Sequence, residues 1–285
     1  MSTSLNPRLG DDRLVTVRRP DAVLRVGEAF REFVAHWDLF VTLTEHRLRV
    51  RYKQSALGWC WAVLQPFALM LIFTLVFGRI ARVPTDGVPY PLFAYSGLLM
   101  WSFLATGLSN AIHSLTAHAQ LITKVYFPRE ILPLTYVAAA VFDLVVASGV
   151  LALLLAYHGH GLSWQAVYAL PVAGVLIALV TGLAFLLSAF QARFRDVGLA
   201  APLLLYVWMF ATPIAYPLSS VPAAYRQWFV LNPMTGIVDS CRRAVLHSAA
   251  PDLSTLAWPV LLAGILLPVG YVVFKRAEKT MVDVI

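Results

Sequence analysis

The sequence predicts an all-α integral membrane protein with six transmembrane helices, and its composition and apolar pattern both support that prediction. Hydrophobic residues make up 59% of the chain and charged residues only 13%, whereas about a quarter of the residues in an ordinary soluble domain are charged. The apolar residues gather in six stretches that are each long enough, at a rise of about 1.5 Å per residue, to cross a hydrocarbon core of roughly 30 Å. These stretches are residues 57–77, 92–112, 131–156, 166–190, 198–218 and 256–274.

The Lys and Arg residues predict the orientation of these spans. We divide the chain into a leader of residues 1–55 and a six-span domain of residues 56–285, and an even number of spans places both ends on one side. The positive residues that flank the spans on that side are Arg47, Arg49, Arg51, Lys53, Lys124, Arg129, Arg193, Arg195, Lys275, Arg276 and Lys279. The opposite side has fewer, namely Arg79, Arg82, Arg226, Arg242 and Arg243. Because short loops rich in Lys and Arg stay in the cytoplasm, we expect both termini there.

The leader carries an amphipathic pattern over residues 26–40. Its apolar residues recur at helical spacing with charged residues between them, and they are Val26, Phe30, Phe33, Val34, Trp37 and Phe40. This pattern is typical of an interfacial helix, which lies in the membrane surface with its aromatic face in the acyl boundary and its charges in water. A helix packed on another protein has the same pattern, so the sequence leaves that alternative open.

The connection between the fifth and sixth stretches, residues 219–255, is long for a helical bundle, and loops of this length are usually functional. It contains a second amphipathic segment, residues 228–246, which Asn232 and Pro233 interrupt. We therefore expect short re-entrant helices that dip into the outer leaflet without crossing it, buried in protein or lining a wet cavity.

No motif for catalysis or for cofactor binding is present in the sequence. It has no Gly-rich phosphate loop, no paired cysteines at metal-binding spacing and no nucleophile motif of the GxSxG kind. We therefore predict no catalytic residue, no cofactor and no metal ion, and any transport must take its energy from another protein. The net charge of +7 comes from residues beside the apolar stretches, so we expect no nucleic-acid partner.

One acidic residue, Asp143, lies inside a predicted span. A charge at that depth is costly and therefore marks a functional candidate. Two roles stay open, a hydrogen bond between helices or a place on a transport path. The lack of further acidic residues in the spans argues against a proton-coupled carrier.

Aromatic residues are frequent along the outer half of the fifth stretch, where Tyr206, Trp208, Phe210 and Tyr216 occur. They form either an interfacial aromatic belt or a set of flat surfaces along which sugar rings slide. Weak, repeated contacts suit a polymer that has to keep moving, because conduction fails when any single site binds too tightly.

Several passages of the chain resemble the ABC-2-type permeases of bacterial polysaccharide export. They are RVRYKQSALG at residues 49–58 with Trp61, Leu64, Gln65 and Pro66, KVYFPREILP at 124–133, FRDV at 194–197, TPIAYP at 212–217, and LNPM at 231–234 with Arg243. The resemblance runs from about residue 27 to the end of the chain. It implies a multi-pass protein of the bacterial plasma membrane, built as a homodimer of six-span subunits.

The resemblance also implies the partners and the cargo. Two copies of a separate ABC ATPase subunit lie beneath the homodimer, and the cargo is a lipid-linked glycan such as O antigen, capsule or teichoic acid. The loop at residues 120–133 docks on the ATPase, with Lys124, Tyr126, Phe127, Pro128, Arg129 and Glu130 as the docking residues. The cytoplasmic entrance is assigned to Arg51, Tyr52, Lys53 and Gln54.

The sequence leaves three alternatives open. The first is an ABC-2 exporter of a drug or a small lipid, which shares the fold and the partner. The second is a membrane-embedded enzyme that processes glycolipids, although the sequence has no cluster of carboxylates or histidines at one membrane face. The third concerns only the loop at residues 120–133, which as an ordinary basic loop would rest on the lipid headgroups.

Overall fold

The computed structural model describes residues 26–53, 58, 60–125 and 127–284, with side chains over 31–51, 58, 60–125 and 127–278. Within these ranges the chain is helical and has no strand. The helices are α1 (Val26–Ala35), α2 (Trp37–Lys53), α3 (Cys60–Phe73), α4 (Tyr90–Ile112), α5 (Ala119–Lys124), α6 (Ile131–Tyr157), α7 (Ala169–Arg193), α8 (Asp196–Phe210), α9 (Ala223–Leu231), α10 (Pro233–Val245) and α11 (Leu253–Val284). A π-helical turn, Thr74–Ile80, extends α3, and a 3₁₀ turn, Trp164–Tyr168, precedes α7.

Five helical segments of the described chain are long and apolar enough to cross a membrane, judged by length and composition. They are Cys60–Ile80, Tyr90–Ile112, Ile131–Tyr157, Trp164–Arg193 and Leu253–Glu278. Each coincides with one of the six apolar stretches, so the all-α class is confirmed for the described residues and five of the predicted stretches form helices of spanning length.

The fifth stretch, residues 198–218, does not form one helix of spanning length. Helix α8 has 15 residues, a length of about 22 Å, which is less than the hydrocarbon core of roughly 30 Å. The helix ends at Phe210 because Pro213 disfavours helical geometry at Thr212, and Pro217 follows four residues later. Residues 211–217 are therefore irregular.

Helix α4 forms the centre of the bundle. It packs against α3, α6, α7, α8 and α10, and most of its side chains are buried. Small residues make this close approach possible, since a Cβ added at Gly107 would already touch Ala140 and Val180. In a membrane, where apolar side chains gain little from leaving lipid, such close packing is a main source of helix association.

Helices α7 and α11 pack most closely where two glycines face each other. A Cβ at Gly182 would meet the backbone of Leu266 and Leu267 at 2.7 Å, and a Cβ at Gly270 would overlap the carbonyl oxygen of Gly182. Only glycine fits this crossing, so the register between the two helices is fixed here.

The predicted interfacial helix at residues 26–40 forms as two pieces, α1 and the start of α2, with a turn at His36 between them. The rings of Phe33, Trp37 and Phe40 touch one another on one side of this segment. Helix α2 packs on α6, where Arg47 donates a hydrogen bond to Thr135 at 2.6 Å. The position of the segment in the membrane surface stays a prediction.

The connection between α8 and α11, called outer because the sequence predicts it on the outer side, forms the short helices α9 and α10, with the break where the sequence predicts it. Asn232 caps α10 by accepting a hydrogen bond from the backbone N–H of Met234, and Pro233 occupies the first helical position. Helix α10 is buried among α4, α7 and α11. Its re-entrant placement in the outer leaflet stays a prediction.

We predict that Gly270→Val destabilises the protein, because the new side chain forces α7 and α11 apart. Overpacking of this kind costs about 1–3 kcal/mol, which thermal unfolding of the purified protein in detergent detects as a lower midpoint. Gly264→Val on the same helix is the matched control, since a Cβ there has no neighbour within 4 Å. Equal midpoints for the two variants contradict the assigned crossing.

Candidate functional site

The loop between α5 and α6, called the inner loop because the sequence predicts it on the cytoplasmic side, is anchored by an aromatic side chain that points into the protein. Phe127 is only 4% exposed and packs in the inner apolar cluster, which consists of Leu115, Ile122, Phe127, Leu132, Phe185, Ala189 and Phe274. Pro128 is buried beside it. The sequence predicts that Phe127 docks on a partner, whereas in the structure its ring packs within its own subunit and anchors the loop there. Tyr126 lies outside the described residues.

Charged groups tie the same loop to the end of α11. The buried Glu130 carboxylate lies 2.7 Å from the Lys275 ammonium group, and Lys275 also pairs with Glu278 at 3.0 Å. Arg129 donates to the backbone carbonyl of Glu278 at 2.6 Å. Burial raises the pKa of Glu130, and the Lys275 charge opposes that rise. Any displacement of the loop therefore acts directly on α11.

The remaining predicted docking residues lie on the surface of this loop. Lys124 is exposed and Arg129 is half-buried, with the exposed Val125 between them in sequence. The loop thus has two sets of residues: Phe127, Pro128 and Glu130 face the protein, while Lys124 and Val125 face outward.

At the opposite end of the bundle, Arg242 of α10 holds the irregular segment that follows α8. Its guanidinium donates hydrogen bonds to the carbonyls of Pro213 and Ile214, both at 2.7 Å, and to the carbonyl of Phe93 at 3.1 Å. It also stacks on the Phe93 ring at 3.6 Å. Gly97 leaves the space that this requires, because a Cβ there would meet the guanidinium at 2.5 Å.

Asn232 makes a second connection between α10 and the end of α8. Its amide oxygen accepts a hydrogen bond from the Trp208 indole at 2.8 Å. Its amide nitrogen donates to the Thr212 hydroxyl at 2.9 Å and to the carbonyl of Ala211 at 3.2 Å. Together with Arg242, this side chain satisfies the backbone carbonyls that the helix break leaves free.

The sequence reasoning counted Arg242 only as a charge on the outer side and did not identify it as a structural centre. A signal was present: Val238, Cys241, Arg242 and Val245 share one face of α10 at helical spacing, and all are buried. An arginine on an apolar helix face is an indication of a buried hydrogen-bonding role.

The four aromatic residues predicted for a sugar path do not lie on one surface. Tyr206 and Phe210 are both about two-thirds exposed on α8. Trp208 points to the opposite side, where it packs edge-to-face against Trp101 at 6.0 Å. The reason is the helical period, since residues four apart share a face and residues two apart do not.

Tyr216, the fourth of these aromatics, borders an outer groove of about 480 Å³. The groove runs between the loop after α3 and helix α9, and its walls include Arg82, Tyr216, Tyr225 and Phe229. Tyr216 packs edge-on against Phe229 at 6.2 Å. It is therefore separate from the exposed pair Tyr206 and Phe210.

At the inner end, two residues that the sequence assigned to different roles form an ion pair. Arg51, predicted at the cytoplasmic entrance, donates to the carboxylate of Asp143 at 2.6 Å. The side chains of Tyr52 and Lys53, and all of Gln54, lie outside the described residues. Over the described part of the chain, no group of three or more His, Cys, Asp and Glu side chains is arranged to hold a metal ion.

Comparison with known proteins gives matches over nearly the whole chain. The family model described as ABC-2 type transporter matches residues 38–246. The O-antigen export system permease protein RfbA of Myxococcus xanthus is 28% identical over 89% of this chain and 97% of its own length. A Klebsiella pneumoniae protein of the same name is 26% identical over 87% and 95%. The polysialic acid transport protein KpsM of Escherichia coli is 24% identical over 82% and 91%.

We predict that Arg242→Met strongly destabilises the outer end of the bundle. Loss of the guanidinium leaves the carbonyls of Pro213 and Ile214 unsatisfied, at about 1–3 kcal/mol each. Thermal unfolding in detergent measures the effect, and Arg242→Lys is expected to recover only part of it because an ammonium group lacks the planar fork. The control is Arg243→Met, because the half-buried Arg243 side chain donates its one described hydrogen bond to the carbonyl of Ala250. The prediction is contradicted if Arg243→Met lowers the unfolding midpoint as much as Arg242→Met does.

We also predict that Lys275→Met loosens the inner loop. The substitution leaves the buried Glu130 carboxylate without its cation, and breaking a buried pair costs about 3–5 kcal/mol. Hydrogen exchange of the amides at residues 124–134 is expected to accelerate. Arg276→Met changes the exposed neighbouring charge and serves as the control, so identical exchange in both variants argues against the anchoring role.

Proposed function

Because the chain belongs to the ABC-2 type transporter family, we propose that it is the transmembrane subunit of an ATP-driven exporter for a lipid-linked polysaccharide. The observation that supports this most directly is the nearly full-length similarity to O-antigen export permeases, with a polysialic acid transporter among the further relatives. The cargo moves from the cytoplasm across the bacterial plasma membrane. ATP hydrolysis takes place on a separate ABC ATPase subunit.

The subunit crosses the membrane six times, with both termini in the cytoplasm. Helix α8 covers about 22 Å of the fifth crossing, and residues 211–217 complete it. Irregular backbone at that depth is stable only when protein groups satisfy its carbonyls, which is what Arg242 and Asn232 do. The inner positions of Arg47, Lys124, Arg193 and Lys275 support the orientation through the positive-inside rule.

Two ATPase subunits dock on the inner loops of a homodimer. The outward residues Lys124 and Val125, together with Tyr126, supply the contact surface, and Arg129 contributes to its rim. Phe127 and Glu130 anchor the same loop internally, through the inner apolar cluster and Lys275. Movement of the ATPase is thereby transmitted to α11 and, through the Gly182–Gly270 crossing, to α7.

The glycan passes between two subunits along α8. From Leu199 onward its exposed stripe consists of Leu199, Leu203, Tyr206 and Phe210. These four side chains are apolar or aromatic and uncharged, so none of them holds a sugar tightly, and the exposed Asp196 lies at the start of the same stripe. Helix α3 flanks the same central helix α4 and also exposes a broad apolar face. Trp208 supports this wall from behind, through Trp101 and Asn232.

Reconstitution tests the proposal. The chain and an ABC ATPase subunit are placed in proteoliposomes with a lipid-linked O-antigen glycan, and a lectin or a glycosidase that cannot cross the bilayer reports glycan that has moved to the other side. We expect movement only with ATP and with a hydrolysis-competent ATPase. Movement without the ATPase, or none with the active complex, overturns the proposal.

We predict that a photocrosslinker at position 206 or 210 captures glycan during transport. Position 153 on α6 is the matched control, because Leu153 is 70% exposed, compared with 66% for Tyr206, but lies away from the proposed path. The measurement is the glycan-dependent mass shift of the subunit. Capture at 153 equal to that at 206 and 210 contradicts the assigned path.

A further inference from the structure

The outer groove is bounded by two parts of the chain that are far apart in sequence. One wall is the loop at residues 81–84, which follows the π-helical turn of α3, and the other runs from Tyr216 into α9. Its volume of about 480 Å³ falls within the roughly 300–1,000 Å³ that is typical of small-molecule sites. The groove is therefore large enough to hold a sugar ring.

Aromatic side chains form the α9 wall of this groove. Tyr216, Tyr225 and Phe229 all line it, and Tyr225 and Phe229 lie one helical turn apart on α9. Tyr225 is 62% exposed, so its ring is open to a ligand. A flat ring with a polar edge suits the apolar face of a sugar, and the sugar hydroxyls remain free to bond water or the tyrosine oxygens.

The opposite wall supplies a positive charge. Arg82 is exposed and is the one charged residue among the described residues that line the groove. It makes no hydrogen bond or ion pair with any described residue. Two charges near the groove are already engaged, since Asp86 accepts a hydrogen bond from Ser219 at 3.2 Å and Arg226 donates to the carbonyl of Ser219 at 3.3 Å. The guanidinium of Arg82 is therefore available to a ligand.

The backbone at Arg82 argues that the side chain serves something other than the fold. Arg82 has a φ of 51°, and the N–H of Val83 donates to the carbonyl of Phe77 at 2.9 Å. This is the Schellman type of helix end, in which glycine is the usual residue at the left-handed position. An arginine is less favourable there because its Cβ crowds the following carbonyl oxygen. The local fold favours glycine, so the presence of arginine points to a role for the guanidinium.

The two walls together select a class of ligand. A guanidinium binds a carboxylate or a phosphate through two parallel hydrogen bonds, whereas the aromatic wall takes a sugar ring. An acidic sugar, which carries a carboxylate or phosphate group on its ring, satisfies both walls at once. Because Arg82 is exposed, the contact is weak, and a weak contact suits a polymer that has to move on.

The groove adjoins the outer end of the proposed path. Tyr216 donates its hydroxyl to the carbonyl of Phe210 at 3.2 Å, and Phe210 is the last residue of α8 and of its exposed stripe. A glycan that follows α8 outward therefore reaches the Tyr216 wall next. A phospholipid headgroup such as that of phosphatidylglycerol carries a phosphate but brings no ring to the aromatic wall, so the walls favour the sugar.

We propose that the outer groove is an exit subsite for an acidic sugar unit of the exported glycan, with Arg82 bound to its carboxylate or phosphate and Tyr225 packed on its ring. This inference rests on the proposed function, which brings a glycan to this end of the protein, and it adds the charge class of the cargo. A unit held at the exit opposes the return of the glycan toward α8.

Binding measurements on the purified full chain in dodecyl maltoside test the proposal without ATP or ATPase. Saturation-transfer NMR follows a trimer of galacturonic acid and the matching neutral trimer of galactose, each titrated at low ionic strength. We expect the wild type to bind the acidic trimer several-fold more tightly than the neutral one. Arg82→Gln is expected to weaken binding of the acidic trimer about 3- to 5-fold, the loss for an exposed charge pair, and to leave the neutral trimer unchanged. Arg79→Gln is the matched control, because Arg79 is exposed on the preceding turn but does not line the groove.

Further variants separate the two walls from each other and from the fold. Tyr225→Ala is expected to weaken both trimers alike because it removes the stacking surface, whereas Trp228→Ala, at an exposed α9 residue outside the groove, changes neither. Arg82→Gly is expected to lose the acidic preference and to keep the unfolding midpoint, because glycine adopts a φ of 51° without cost. A purely structural arginine would instead lower the midpoint in this variant.

Three results in these titrations overturn the proposal: equal binding of the two trimers by the wild type, no binding of the acidic trimer, or an acidic preference that survives Arg82→Gln. Complete displacement of the acidic trimer by phosphatidylglycerol at equal concentration also overturns it, because the groove is then a headgroup site. The proposed function is tested separately. If the reconstituted complex exports no glycan but the acidic preference persists and depends on Arg82, only the proposed function fails. If it exports glycan while Arg82→Gln binds the acidic trimer as the wild type does, only the exit subsite fails.

Discussion

A backbone carbonyl without a hydrogen bond costs several kcal/mol inside a bilayer, and the outer half of this protein is organised around that constraint. The prolines after α8 end the helix early and leave the carbonyls of residues 211–214 without helical partners. Arg242 and Asn232 bond three of them. Both side chains belong to α10 or its cap, so the buried position of that short helix follows from the break in α8.

The same break sets the shape of the proposed path. One face of α8 is buried against the rest of the subunit. There Trp208 bonds Asn232, and the buried residues of the helix are Gly198, Ala201, Leu205 and Met209. The other face of α8 is exposed. That exposed face carries Tyr206 and Phe210, and the one charged residue of α8, Asp196, lies at the first position of the helix. A wall that is fixed on one side and weakly binding on the other suits passage of a polymer.

The inner half follows a different principle, in which covered charges connect elements that are far apart in sequence. Glu130 and Lys275 are 145 residues apart, and Arg51 and Asp143 are 92 apart. The first pair joins the proposed docking loop to α11, and the second joins the leader to α6. Loss of one partner leaves the other charge of each partly buried pair without its counter-ion. Displacement of one member therefore changes the contacts of the helix that carries the other.

Local properties of the sequence determined the all-α class, the five helices of spanning length, the break at Asn232 and the resemblance to a transporter family. Apolar length, proline position and charge beside the spans are all readable within a short window of residues. Only the tertiary structure decided that Phe127 points inward, that Trp208 and Tyr206 face opposite ways, that Arg242 closes the broken helix and that Arg51 meets Asp143. These facts depend on which helices pack together, and the contacts join residues up to 149 positions apart. A local pattern carries no information about such distant partners, which is why the sequence identified several of the residues but not the contacts between them.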